Sequence, residues 1–225
     1  FHSDRTDIIE RYLAIAADAA EAGLMVNFHG CTAPKGWERT WPNVLTMEAV
    51  RGAEQYFFAE DSPETAVWHN TVLPFTRNVA GSMDYTPVTF SNRRSPRRTT
   101  AGHELALAVV FQSRLQHFAD SAASYRAQSP EVWRYLSEVP SVWDESHLVD
   151  GYPGEWIVVA RRSGDRWWMA GINGPARRAL QADLDQFQGL AGGQLIAGPG
   201  LAVSTVGSTL DLELEAGGGF SLWTP

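Results

Sequence analysis

The sequence predicts an α/β half followed by an all-β half. Three observations carry that prediction. Up to about residue 139, short apolar runs alternate with segments of helical periodicity. From Gly154 onward the pattern becomes short alternating runs broken by glycine, with turn signals about 8–12 residues apart. Two successive apolar runs in the first half end on polar residues, His29 and Glu48, as strands of a parallel sheet do at a ligand-binding edge.

Each element follows from local chemistry. Ser3 or Asp4 is placed to cap a first helix, and Asp4, Asp7 and Glu10 lie in its opening turns, where the helix dipole favours acids. Ile8, Ile9, Tyr12, Leu13, Ile15 and Ala16 form its apolar face, and Gly23 ends it. Residues 24–28 read as a buried strand, too apolar for one wet face. A loop with Pro34, Gly36, Pro42 and Asn43 leads to a second strand at 44–47. Residues 49–59 read as partly helical. Pro63 opens a short helix running to about residue 70. A third strand is expected at 72–76 despite Pro74, then a long loop over 77–100, helix at 104–111, a fourth strand at 115–118 and further helix over 125–138. Repeated strand–loop–helix units suggest a (β/α) barrel or a doubly wound sheet. The boundary is expected near Pro140, giving domains at 1–139 and 140–225. Beyond it, EWIVVARR, GDRWWMAGI, ARRALQADL, GLAVSTV and STLDLELEA read as strands of an antiparallel sandwich, with a hairpin turn at Ser163-Gly164-Asp165. About four strands are too few for a closed barrel, which needs eight. The first half is therefore either a small open sheet or part of a barrel.

Composition narrows the function. The 225 residues are 44% hydrophobic and 20% charged, an ordinary globular balance. A net charge of −8 argues against a nucleic-acid surface. The basic stretch Arg93-Arg94 and Arg97-Arg98 has no interleaved aromatics and reads as a solvated loop. One cysteine, Cys31, excludes an intrachain disulfide and a cysteine zinc cluster. No apolar run approaches the ~20 residues that span a bilayer. The chain opens FHSDRTDIIE and enters a helix almost at once, so polypeptide is expected to precede residue 1.

The chemical candidates are His29, Glu48, Glu54 and Asp84. On one continuous helix Glu48 and Glu54 would stand about 240° apart, so they converge only if the chain bends between them, and the turn through Arg51-Gly52 offers that bend. Converging carboxylates either bind a hard cation through oxygen or supply general acid chemistry; solvated loop acids are the plain alternative. His29 at a strand end reads first as a structural hydrogen-bonded residue and second as a catalytic one. Asp84 between Met83 and Tyr85 reads as an Asx-turn or a ligand contact. GxSxG, HExxH, Walker A and GxGxxG are absent from these places, which removes support for a serine hydrolase, zincin or nucleotide enzyme.

The runs NFHGCTAPKGWERTWPNVLTMEAVRGAE, HNTVLPFTRNVAGSMDYTP and VWDESHLVDGYPGEWIVVARRSGDRWWMAGI resemble glycoside hydrolase family 97, bacterial enzymes acting on α-glucosides and α-galactosides. The resemblance spans essentially the whole chain. It implies the last four units of a (β/α)8 TIM barrel and a carboxy-terminal β-sandwich. It implies Glu54 as general acid or acid/base, Glu48 and Glu54 as calcium ligands, and His29 as a sugar contact; Asp84 is carried beside His29 as a substrate-binding candidate. Inverting members have a glutamate where this chain has Gly30. Retaining members have glycine there and use an aspartate nucleophile, which would fall at or just before residue 1. The expectation is therefore a calcium-dependent retaining α-glycosidase, most simply an α-galactosidase, acting on α-linked oligosaccharides or galactosides and secreted or periplasmic. The alternatives are an inverting α-glucosidase, or a decayed carbohydrate-binding relative using Trp37, Trp41 and Tyr85 as stacking surfaces.

Overall fold

The computed structural model describes residues 2–91 and 96–225; Arg93 and Arg94 of the basic stretch lie outside them. Helix α1 (Thr6–Glu21) buries Tyr12 and Ala16. It begins later than the expected caps, because the Ser3 hydroxyl instead accepts the Arg5 N–H at 3.3 Å. Its end is a Schellman turn: Gly23 N–H reaches Ala20 O and Leu24 N–H reaches Ala19 O. The chain then enters β1 (Val26–Phe28), which pairs in parallel with β2 (Val44–Met47).

Two further segments extend this parallel edge without becoming full strands. Met83 forms a single parallel bridge with Met47, and Asp84 N–H donates to Met47 O at 3.0 Å. Met83 N–H in turn donates to Gln112 O at 3.1 Å. Four segments thus lie side by side in chain order. The third and fourth are not where the sequence pattern suggested. Residues 72–76 finish helix α4 (Ser62–Val72) and turn once as a 3₁₀ helix at Leu73–Phe75, where Pro74 needs no N–H partner. Residues 115–118 form no strand; the Gln116 amide there ties the loop back to Ala108 O at 2.7 Å.

Short helices α2 (Trp37–Thr40) and α3 (Gln55–Phe58) sit in the loops after β1 and β2. Helix α5 (Ala101–Val110) starts at a Thr100 cap and is buried over 102–110, as an all-round apolar helix must be. Helices α6 (Ala122–Arg126) and α7 (Pro130–Glu138) follow, separated at the Ser129 cap that begins α7.

The remainder is antiparallel: β3 (Glu145–Tyr152), β4 (Trp156–Ser163), β5 (Arg166–Asn173), β6 (Arg178–Asp183), β7 (Gln194–Ala197), β8 (Ala202–Thr205), β9 (Thr209–Leu214) and β10 (Gly219–Trp223). Six of these form a sheet in the order β3-β4-β5-β10-β7-β8, and β6 with β9 forms a ribbon. The two-residue side-chain period sorts the sheet faces. Val158, Ala160, Trp167, Met169, Phe220 and Leu222 pack with Leu180, Leu210 and Leu214 of the ribbon. Ile157, Val159, Trp168, Ala170, Ile172 and Trp223 face the helices, joining Leu105, Val109, Val132 and Tyr135 in one apolar cluster. That cluster continues through Tyr85, Met83 and Ala53, so the layer carrying the parallel edge rests on the sheet through α5. No helix among the described residues is long and apolar enough to cross a membrane.

Candidate functional site

The ends of β1, β2 and the Met83 segment, with the loop beyond Gln112, gather the polar residues. His29 follows β1, Glu48 follows β2, Asp84 follows Met83, and His117 lies five residues beyond Gln112. Each segment is pinned by its neighbour's backbone. Glu48 N–H donates to Phe28 O at 2.8 Å, and Arg77 donates to Met47 O and Glu48 O at 2.8 and 3.1 Å, sealing the carbonyls at the end of β2. The sequence reading missed Arg77, since an arginine in a loop carries no mark of such a role.

The bend required between Glu48 and Glu54 is present. Ala49 takes φ +38°, and Ala53 N–H donates to Tyr85 O at 2.9 Å, holding the turn that delivers Glu54 to the start of α3. Gly52 lies against the same carbonyl so closely that a Cβ would sit 2.5 Å from Tyr85 O. Both carboxylates converge on His29: Nε2 lies 3.2 Å from Glu54 Oε2 and 3.4 Å from Glu48 Oε1. Donor atoms of His29, Glu48 and Glu54 all fall within 4.8 Å of one another. Glu48 is buried, and its Oε2 accepts the Gly30 N–H at 2.6 Å; Gly30 has φ +68°, a conformation that favours glycine.

Asp84 is the buried centre beneath this cluster, its side chain 1% exposed. Oδ2 accepts from Asn27 Nδ2 at 2.7 Å and faces His29 Nδ1 at 3.0 Å, while Oδ1 faces His117 Nδ1 at 3.0 Å. Burial acts to raise the Asp84 pKa, but the contacts with His117, Asn27 and His29 outweigh it and hold the carboxyl below its ordinary value. Burial likewise acts to lower the His29 pKa, and the carboxylates of Asp84, Glu48 and Glu54 reverse the sign, favouring imidazolium. With both oxygens engaged and almost no exposed surface, Asp84 orients imidazoles. Any sugar contact would run through them, which moves it from the direct contact expected of it.

His117 and Asn27 are also absent from the sequence reading. His117 lies inside LQHF, whose apolar residues suggest a strand. Of the proposed stacking residues, Trp37 is buried against Tyr12 with ring centroids 5.1 Å apart, and Tyr85 against Phe111 at 4.7 Å. Neither offers a face to a ligand. Cys31 is buried, and burial pushes its thiol pKa up, leaving it unreactive. On the described side of the basic loop, Arg98 pairs with Glu64 at 2.6 Å and Arg97 donates to Phe90 O at 2.8 Å.

Residues 1–50 match the sequence profile described as glycoside hydrolase 97, and residues 142–192 match that described as glycosyl-hydrolase 97 C-terminal, oligomerisation. A probable retaining alpha-galactosidase of Streptomyces bingchenggensis is 38% identical over 233 residues, covering 99% of this chain and 35% of that protein. The retaining alpha-galactosidase of Bacteroides thetaiotaomicron is 37% identical over 174 residues, covering 73% and 26%. Among solved structures, a beta-arabinopyranosidase superposes with a TM-score of 0.84 at 34% identity, over 94% of this chain and 36% of that one. A family 97 enzyme from Pseudoalteromonas sp. strain K8, in complex with panose, gives 0.80 at 28% identity over the same shares. The chain thus spans about a third of the length of the relatives it matches.

Proposed function

The chain belongs to glycoside hydrolase family 97, and on that premise we propose that the protein carrying it is a retaining α-galactosidase whose acid/base is Glu54. The observation that carries this reading is the convergence of Glu54, Glu48 and His29 beside a glycine at position 30. An inverting enzyme needs a second carboxylate about 6.5–9.5 Å from the acid to activate water. Gly30 offers no side chain for that task, which also counts against an inverting α-glucosidase. The four side-by-side segments would be the closing half of a (β/α)8 barrel, with the opening half and the aspartate nucleophile supplied by polypeptide ahead of Phe1.

Glu54 works from its free oxygen. His29 Nε2 holds Oε2 at 3.2 Å, whereas Oε1 has only a weak 3.4 Å contact from the Gln55 amide. Protonated, Oε1 gives its proton to the glycosidic oxygen as the aglycone leaves. The resulting carboxylate then takes a proton from the water that releases the sugar from the nucleophile. His29, fixed from below by Asp84, keeps Glu54 in register and presents its ring edge to the sugar.

Glu48 and Glu54 also fit a calcium ion by their chemistry: two hard oxygen donors on one side of the cleft, one carboxylate buried and fixed by Gly30 N–H. They would supply a minority of the six to eight oxygens calcium takes, and the bound ion would polarise sugar hydroxyls. Removal of calcium by chelation is expected to lower activity and calcium alone to restore it.

A second substrate reading has support in the similarity to the beta-arabinopyranosidase. A β-arabinopyranoside of the L series is an α-D-galactopyranoside without its hydroxymethyl group, so one cleft can accept either ring. Export to the periplasm or medium accords with polymeric α-linked substrates. The non-catalytic alternative loses two of its three proposed platforms, since Trp37 and Tyr85 are buried.

The test uses the complete protein and an aryl α-galactoside, with proton NMR of the first-formed sugar. An α-anomer is expected; a β-anomer would sink the retaining mechanism. Glu54→Gln should cut turnover about a thousandfold. An unchanged rate would remove Glu54 from the chemistry, and sugar binding without turnover by the parent would favour the non-catalytic reading.

A further inference from the structure

We propose that His117 is a second sugar-contacting imidazole, set by Asp84 so that its Nε2 makes a hydrogen bond with a substrate hydroxyl. The proposal rests on the galactosidase reading above and adds a residue to its site.

Position is the first argument. His29, Glu48 and Asp84 each follow the end of successive parallel segments, and His117 follows the segment beside them, beyond the Gln112 carbonyl that receives Met83 N–H. Side chains at that edge of a parallel sheet face the ligand cleft.

Shared anchoring is the second. Asp84 holds His117 Nδ1 at 3.0 Å with one oxygen and His29 Nδ1 at 3.0 Å with the other. The carboxylate is 1% exposed, while the two imidazoles are 48% and 38% exposed. Both rings therefore stand on the solvent side of one buried group. Nε2 lies across each ring from Nδ1, and so points away from Asp84 toward the exposed side.

Spare valence is the third. The Nε2 of His29 is already engaged by Glu54 and Glu48. The Nε2 of His117 has no hydrogen-bond partner among the described residues. With Nδ1 committed to the carboxylate, Nε2 is the ring's remaining hydrogen-bonding atom. It stands on the exposed side of Asp84, where a sugar would present hydroxyls to it.

The plain alternative is that the Asp84–His117 pair only fastens a loop. That loop is fastened without it. Arg114 N–H donates to Ser82 Oγ at 2.8 Å, Ser113 Oγ to Leu115 O at 2.6 Å, Gln116 Nε2 to Ala108 O at 2.7 Å, and Ala119 N–H to Pro87 O at 3.0 Å.

The experiment is a cycle of residue against hydroxyl in the complete protein. kcat/KM is measured for an aryl α-galactoside and each of its monodeoxy analogues, in the parent and in His117→Ala. Comparing the two proteins on one substrate pair divides out the intrinsic reactivity of each deoxy sugar. In the parent, removing the contacted hydroxyl should cost about tenfold or more, since it leaves a polar group unpaired. In His117→Ala the loss at that one position should shrink below about threefold, with the others unchanged. His117→Asn, whose amide sits near the Nδ1 position to donate to Asp84 but does not reach the Nε2 position, is run beside it and should show the same selective cancellation, so the test survives poor folding of the alanine variant. An active parent whose deoxygenation losses are all unchanged in both variants overturns the His117 assignment alone. A parent that hydrolyses no α-galactoside overturns the substrate reading, and the His117 contact falls with it.

Discussion

The parallel edge and the antiparallel sheet make opposite use of their residues. Strands β1 and β2 are three and four residues long, and the next two segments contribute single rungs. Strands β3, β4 and β5 run for eight residues each in continuous or once-bulged ladders. Among the described residues, the acids and imidazoles of the buried polar core, namely Glu48, Asp84, His103 and Glu104, belong to the first half. The sheet's buried polar residues are Asn173 and Ser221. Ala49, Thr86 and Val88, flanking Glu48 and Asp84, hold positive φ, which is unfavourable for a β-branched residue such as Val88. Strain and buried charge are thus concentrated where chemistry is expected, and apolar packing is concentrated in the sheet that α5 rests on. The difference teaches that the irregular half depends on the regular one for its rigidity.

If that division of labour holds, a cavity in the sheet should unfold both halves. Trp168 is fully buried on the helix-facing side, stacked on Trp223 at 6.0 Å and edge-on to Trp143 at 5.8 Å. Trp168→Ala is expected to cost about 3–5 kcal/mol in urea unfolding. Because Leu105, Val132 and Tyr85 share the same apolar cluster, helix and sheet signals should be lost together; separate transitions would break the comparison. A smaller effect sharpens it from the other side. Gly52→Ala places a methyl against Tyr85 O and should cost about 1–3 kcal/mol of stability. It should also lower turnover further than its stability loss explains, because it shifts the turn that delivers Glu54. Unaltered kinetics in the folded variant would show that the turn does not position Glu54.

Legibility divides along the same line. Strand β2 coincides residue for residue with the apolar run 44–47, and Gly23 ends α1 as its sequence implies. His29 and Glu48 stand out because polar residues closing apolar runs are visible in one dimension, whereas Glu54 is marked by its spacing from Glu48 and by the family resemblance. The sheet is readable from its glycine punctuation and two-residue period. The third and fourth segments are not, since Met83 and Gln112 are placed by isolated backbone bonds to distant residues. The run VLPF misleads: its apolarity reflects burial beside α4, and its proline fits a 3₁₀ turn. His117 and Asn27 carry no local mark at all. Their importance exists only once Asp84 is buried between them.

The least disruptive probe of the coupling between the halves is pH. A buried chain of hydrogen bonds crosses from one to the other: Tyr85 donates to Asn70 Oδ1 at 2.7 Å, Asn70 Nδ2 lies 3.1 Å from His103 Nε2, and His103 Nδ1 lies 3.2 Å from Gly218 O. The orientation of Asn70 makes its amide the donor, so His103 Nε2 must accept and the ring must be neutral with its proton on Nδ1. Burial pushes the His103 pKa down to about 3. The unfolded chain, with an ordinary histidine near about 6.5, therefore binds more protons over the intervening range. The resulting stability is fully present above about pH 6.5 and is lost as pH falls toward 3. Neighbouring Glu104 has the opposite sign: burial raises its pKa, so its contribution is present below the ordinary carboxyl value and lost as pH rises. Between about pH 7 and about pH 5.5, His103 should account for a loss of about 1 kcal/mol. His103→Asn removes the titrating group, so its stability should fall less steeply with acid than the parent's. Parallel profiles for the two would mean that His103 is not held neutral, and that the link from Tyr85 to Gly218 does not join the site-bearing half to the sheet in the way its geometry indicates.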